Sequence, residues 1–230
     1  MVRYELKYAF PEESLAAVQQ AVRDHPAHFG EIFHKRQINN IYFDTSDLRN
    51  YWANINGVGN REKYRIRWYG ETFGPVASPV LEIKRKFGLV GDKKSKKMPA
   101  FELGHDFSWF KVAQVIQNQF AGTDNPESAI FINNLLVQYP TIINHYQRQY
   151  FMTRDKKFRL TIDSDIKYQK ITSNYVSADC LPERRIIVEI KFDQSHAPEA
   201  GIVTNGFDWR LTRNSKYVNG VNLLLHQGVT

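Results

Sequence analysis

Four cations fall on alternate residues of one short run, Arg61, Lys63, Arg65 and Arg67, with Tyr64, Ile66 and Trp68 at alternate positions between them. A period of two belongs to a β-strand, which sends successive side chains to opposite faces, so the four cations share one side. The habit recurs in Arg3/Glu5/Lys7, Glu82/Lys84/Lys86, Arg159/Thr161/Asp163 and Arg185/Glu189/Lys191. The interleaved positions hold Leu81 and Ile83, Leu160 and Ile162, then Ile186, Val188, Ile190 and Phe192. A chain patterned this way makes a sheet with one charged face and one apolar face. The charged face of any single strand reads first as a solvent face, because half-exposed antiparallel sheets are common. Two features of the set favour a sheet that curls with its charges inside. Arginine dominates, and its planar fork matches phosphate oxygens and is more weakly hydrated than an ammonium. The repetition would also make the charges converge, and two like charges about 4 Å apart repel by roughly 4 kcal/mol near a protein surface. A cluster of Arg65, Arg67, Lys84, Lys7 and Arg159 then needs a counter-anion, interleaved carboxylates, or both.

The remaining pattern fills in an α+β chain. Strands are expected at 2–10, 37–44, 61–69, 80–87, 143–153, 157–169 and 184–192. Pro11 opens a helix, with Glu12 and Glu13 in its first turn, where negative charge suits the helix dipole. Leu15, Val18, Ala21 and Val22 give that helix its apolar stripe. Further helices are expected at 48–55, 108–120, 127–138 and 215–226. Residues 88–99 read as a polar, Lys-heavy hairpin extension, and 193–205 as a loop. Strands and helices do not alternate regularly, which argues against a doubly wound parallel sheet. The expectation is a closed antiparallel β-barrel with helices packed outside, one domain over 1–230.

Composition narrows the partners. Net charge is +7 over 230 residues, which favours phosphate-rich ligands without choosing among them. The single cysteine, Cys180, excludes an intramolecular disulfide. No apolar run approaches the roughly 20 residues of a membrane-spanning helix. The charged N-terminus lacks a signal peptide's apolar stretch. The expectation is a soluble cytoplasmic protein or a soluble piece of something larger. No glycine-rich phosphate loop, dinucleotide fingerprint, His-Glu-x-x-His or Cys-x-x-Cys occurs, so a nucleotide would have to be held by side chains. His25 and His28, flanking Pro26, read as exposed loop histidines. Lys93–Lys97 reads as a solvated loop that could guide a long anion. Nucleic acid is disfavoured, because Tyr64 and Trp68 alternate with the cations instead of sharing their face as a stacking platform.

The carboxylates among the cations have two readings. Glu5, Glu82, Asp163 and Glu189 can be lateral ion-pair partners, the preferred reading for Glu5 and Glu82. They can also serve a hard cation, since Mg²⁺ takes one or two carboxylates and fills its shell with phosphate and water oxygens. Glu189 is the first candidate ligand and Asp163 the second.

Taken in order, Tyr4-Glu5-Leu6-Lys7, Ile41-Tyr42-Phe43-Asp44, Lys63-Tyr64-Arg65-Ile66-Arg67, Leu81-Glu82-Ile83-Lys84, Tyr146-Gln147-Arg148-Gln149-Tyr150, Arg159-Leu160-Thr161-Ile162-Asp163, Val188-Glu189-Ile190-Lys191 and Ser215-Lys216-Tyr217 resemble the triphosphate tunnel metalloenzymes (CYTH-like superfamily). Within them the chain most resembles the VTC domain, the polyphosphate polymerase branch. The resemblance implies a barrel whose tunnel is lined by basic residues and at least one metal-binding glutamate. It implies that Lys7, Arg65, Arg67, Lys84, Arg148, Arg159 and Lys216 hold phosphates. Glu189 would ligate Mn²⁺ or Mg²⁺, with Asp163 beside it as the second candidate. Glu5, Lys63, Glu82, Lys86, Lys191 and Ser215 complete the expected substrate-binding set. The implied reaction transfers the γ-phosphoryl of ATP to growing inorganic polyphosphate and releases ADP. The triphosphatase branch carries Glu-x-Glu-x-Lys where this chain has Arg3-x-Glu5-x-Lys7, which speaks for the polymerase branch. A metal-dependent triphosphatase and a non-catalytic polyphosphate-binding domain are the alternatives, and a membrane-protein partner is left open.

Overall fold

A computed structural model describes residues 3–87, 90–104, 106–120 and 126–226. Nine strands hydrogen-bond in one sheet in the order β1 (Arg3–Pro11), β11 (Arg185–Asp193), β9 (Phe158–Ile171), β8 (Tyr139–Met152), β2 (Gly30–Asp44), β3 (Asn60–Tyr69), β5 (Val80–Phe87), β6 (Val90–Lys97), with β10 (Val176–Glu183) on β9. β4 (Gly74–Val76) and β7 (Phe101–Leu103) form a separate antiparallel pair. The helices are α1 (Leu15–Asp24), α2 (Arg49–Ile55), α3 (Trp109–Phe120), α4 (Pro126–Leu136), α5 (Ala200–Thr204) and α6 (Lys216–His226). The architecture is therefore α+β with a large antiparallel sheet. Among the described residues the hydrogen-bonded order has two ends, β1 and β6.

Chain contacts define two compact units that interleave along the sequence: 1–37, 146–167 and 182–215, and 38–145, 168–181 and 216–230. In the first, β1 pairs with β11 and β11 with β9 in registers that keep the alternation aligned, Leu6 opposite Ile190 and Ile190 opposite Leu160. The apolar face so formed buries Tyr8, Leu160, Ile162, Val188 and Ile190 with Val18 and Val22 of α1. Val18 and Val22 stand four residues apart and so lie on one helical face. The helix ends where Pro26 forces the preceding residue, His25, into extended backbone.

In the second unit Tyr64, Ile66 and Trp68 of β3 and Leu81 and Ile83 of β5 build a core with Trp109 and Ile116 of α3 and Ile132 and Leu135 of α4. Packing of α6 is close: a Cβ added to Gly220 would lie 2.5 Å from the Tyr168 ring and 2.7 Å from Ile142.

Several expectations change. β2 begins at Gly30, well before 37, and its first six residues are exposed. Residues 90–97 are a strand antiparallel to β5, in keeping with a hairpin extension, so Lys93–Lys97 are strand and not loop. Within 193–205 lie a 3-10 turn, Gln194–Glu199, and α5. His25 is buried at 3% exposure, while His28 is exposed. The His25 imidazole packs tilted against Phe207 at 4.1 Å between ring centres, holding α1's end to the chain after α5. No helix among the described residues is long and apolar enough to cross a membrane.

Candidate functional site

Each unit carries its own cluster of charge, placed by strand register. In the first, Lys7 lies opposite Glu189, and Glu189 opposite Thr161; Glu5 lies opposite Lys191, and Lys191 opposite Arg159. Lys7 Nζ sits 2.9 Å from Glu5 Oε1 and 3.2 Å from Glu189 Oε1 and donates to the Asn214 carbonyl at 3.1 Å. Lys191 Nζ donates to Glu189 Oε2 at 2.6 Å, with the Arg148 guanidinium 3.8 Å from the same oxygen. Arg148 grips Asp163 bidentately and lies 5.2 Å from the Tyr146 ring centre. Burial pulls the Lys7 ammonium down, yet Glu189 and Glu5 outweigh it and the net direction is up. For Arg148, burial likewise opposes the charge and Asp163 more than restores it. Both groups are thus held cationic. Arg159 is exposed on the same face.

The second cluster centres on Glu82, buried at 6% exposure. Arg65 Nε donates to Glu82 Oε2 at 2.7 Å, Arg67 stands 3.8 Å from that oxygen, and Lys93 pairs with Oε1. Burial alone would raise the Glu82 carboxyl; Arg65, Arg67 and Lys93 instead bring it down to about 2. Arg67 Nε also donates to Asn40 Oδ1 at 2.9 Å, and Asn40 Nδ2 to Asn144 Oδ1 at 2.8 Å, which fixes the guanidinium plane. Register aligns Lys63, Lys84 and Lys93 directly across β3, β5 and β6, and Arg61 opposite Lys86. Like charges directly opposite destabilise a sheet. Lys84 is exposed, while Lys63 and Lys86 are half-buried.

Lys216, the first residue of α6, is buried at 8% exposure, and Ser215 before it is half-buried. Its neighbour Tyr217 donates its hydroxyl to Asp44, a fully buried carboxylate that also accepts the backbone N–H groups of Asn50 and Tyr51 at 2.8 and 2.9 Å.

The period-two pattern thus gives two charged faces, one in each unit. The family model of the VTC domain matches residues 2–225. This chain belongs to the VTC domain family. The fold also resembles two solved structures. One, a "putative adenylate cyclase" from Vibrio parahaemolyticus, is 11% identical with a TM-score of 0.51, covering 96% of this chain and 98% of that one. The other, a "putative adenylate cyclase" from Bacillus halodurans, is 13% identical with a TM-score of 0.51, covering 94% and 97%. No curated protein matches the chain. Identities this low carry the fold alone.

In this VTC domain the structure joins Lys7, Glu5, Arg148, Asp163, Glu189 and Lys191 in one cluster with Arg159 on the same face, and Arg65, Arg67 and Glu82 in another with Lys63, Lys84 and Lys86. Sequence reasoning read Lys93 as part of a solvated loop that could guide an anion, and passed over Asn40 as the acceptor that orients Arg67. Lys93 lies in a run too uniformly polar to show alternation, and a side-chain acceptor on a neighbouring strand leaves no signal either. Among the described residues no three His, Cys, Asp or Glu gather into a metal cage. Asp163 is committed to Arg148. Glu189 has its oxygens held by ammonium groups and a buried, unpartnered hydroxyl, Thr161 Oγ1, opposite it in register. A hard cation at Glu189 would have to displace Lys7 or Lys191 from its oxygens and complete its shell with phosphate and water.

Proposed function

We propose that this VTC domain is a polyphosphate polymerase, transferring the γ-phosphoryl of ATP to an inorganic polyphosphate chain. The observation supporting it best is the cross-strand ladder Lys63–Lys84–Lys93 beside Arg65 and Arg67. Like charges directly opposite repel, and a polyanion would add counter-charge beside Glu82, the carboxylate that pairs with Lys93. The reading carries with it the closed barrel of the family's tunnel, which a crystal structure with bound triphosphate tests.

Phosphoryl transfer asks a protein for positioning and charge neutralisation more than for covalent help. Arg65, Arg67 and Lys84 grip phosphate oxygens as one set, Lys7, Arg148 and Arg159 as another, and Lys216 adds a buried ammonium. An acceptor phosphate oxygen attacks the γ-phosphorus in line; the bond to the β–γ bridging oxygen breaks and ADP leaves. The attacking oxygen is already anionic, so no side chain has to remove a proton. Glu189 would hold Mn²⁺ or Mg²⁺, which when bound supplies charge stabilisation to the transferring phosphoryl.

The experiment is ATP with Mn²⁺, followed by ³¹P NMR for chain phosphate and by ADP release. The reading expects polymer, and a loss of about 10²-fold or more in Arg67→Ala and in Glu189→Gln. Free phosphate in place of polymer would make the protein a triphosphatase. Binding without turnover would make it a polyphosphate-binding domain.

A further inference from the structure

We infer that Thr161 is a further ligand-binding residue, its hydroxyl donating to a phosphate oxygen at the Lys7–Glu189–Arg148 cluster. The inference rests on the phosphate-binding reading above and adds a residue to it. Thr161 Oγ1 is buried and has no hydrogen-bond partner among the described residues. A buried hydroxyl without a partner destabilises a fold, so an orphan of this kind asks for a use, such as a missing water, ion or ligand. Valine has nearly the same shape and strand preference and carries no such penalty.

The position of the orphan says what it serves. Thr161 lies opposite Glu189 in register, and along its own strand it sits between Arg159 and Asp163 on the charged face. The groups that could have satisfied it are engaged elsewhere. Glu189 Oε1 faces Lys7 and Oε2 accepts from Lys191, while both oxygens of Asp163 accept from Arg148. What the cluster lacks is an acceptor, and every cation in it is a donor. A phosphate brings several anionic oxygens at once. One can take the Thr161 proton while others meet Lys7 or Arg148. A water on a bound divalent ion offers the same oxygen chemistry, so the test separates the two.

The test compares wild type, Thr161→Val and Thr161→Ser. Calorimetry measures tripolyphosphate affinity with and without Mn²⁺, and urea denaturation measures stability without ligand. The expected result is affinity about tenfold weaker in Thr161→Val in both metal conditions, the size of one hydrogen bond to a charged group. Thr161→Ser should stay close to wild type. Without ligand, Thr161→Val should be at least as stable as wild type, which a hydroxyl with a structural role would not allow. Thr161→Val binding as tightly as wild type, or unfolding more easily without ligand, would overturn the inference. A loss confined to Mn²⁺ would overturn the phosphate assignment in favour of metal-bound water. Wild type failing to bind tripolyphosphate would remove the phosphate reading itself, and this inference with it.

Discussion

Arg148 holds Asp163 by two prongs, Nε to Oδ1 at 2.5 Å and Nη2 to Oδ2 at 2.6 Å, and the carboxylate is fully buried. Each ion makes the other's burial tolerable. Removing one leaves an uncompensated charge in the interior, which typically costs 3–5 kcal/mol. Asp163→Asn is therefore expected to lower unfolding free energy by roughly that amount in urea titrations. Because the carboxylate is committed to Arg148, its effect on Mn²⁺ affinity should be small beside that of Glu189→Gln. A large loss of metal binding with unchanged stability would restore Asp163 as a ligand.

Glu82 predicts an acid limit. Its carboxyl is held down at about 2 against an ordinary 4.5, because Arg65, Arg67 and Lys93 outweigh the burial that would raise it. A group depressed in the fold contributes stability that is complete above its unfolded value and is lost as pH falls through its folded value. Stability should thus decline from about pH 4.5 down to about pH 2, by up to about 3 kcal/mol from this group. The difference between wild type and Glu82→Gln, measured by denaturation across that range, should shrink to a pH-independent remainder at the acid end. A difference unchanged from pH 5 to pH 2 would mean that Glu82 carries no such coupling.

The clusters were legible where one strand's alternation sufficed. Arg65, Arg67, Glu82, Lys84 and Glu189 could be placed on charged faces because Tyr64, Ile66, Leu81, Ile83, Val188 and Ile190 lie between them. What failed depended on partners distant in sequence. Lys93 sits in a run so polar that strand and coil read alike, and only its pairing with β5 lines it up with Lys84. The start of β2 is exposed, so no buried alternation marks it as strand. β10 has the same problem, with Ala178, Asp179 and Cys180 all exposed in succession. His25 stands before a proline and looks like loop, but its burial is supplied by Phe207, far along the chain. The Asp163–Arg148 pair could not be read from one strand's alternation, because its two members stand on β9 and β8.

His25 makes stability sensitive to pH nearer neutrality. Its Nε2–H donates to the Val203 carbonyl at 2.9 Å and its Nδ1 accepts the Ala27 N–H at 3.0 Å, an arrangement that requires the neutral ring. Burial pushes the imidazole down, and the Val203 bond only partly opposes it. The unfolded chain therefore takes up the proton first. The stabilisation is intact above about pH 6.5 and fades as pH falls below it. Thermal unfolding from pH 7.5 to 5 should show a smaller pH slope in His25→Phe, which keeps a ring beside Phe207. Equal slopes would reassign the effect to another histidine.

Tyr217 and Asp44 bear on where Lys216 is held. The Tyr217 hydroxyl is pushed far up, by burial first and by the Asp44 charge second, so it stays a donor at every working pH. Asp44 keeps its bonds from Asn50 and Tyr51 when that donor is lost, so the carboxylate is not orphaned. Tyr217→Phe should then cost about 2 kcal/mol, the worth of one hydrogen bond to a charged group. If Lys216 binds phosphate, the same variant should weaken tripolyphosphate binding although its hydroxyl donates to Asp44 and not to ligand. The loss should disappear in the Lys216→Met background, because a residue that acts by holding Lys216 has nothing left to hold. Additive losses in the double variant would show that Tyr217 influences the ligand by another route.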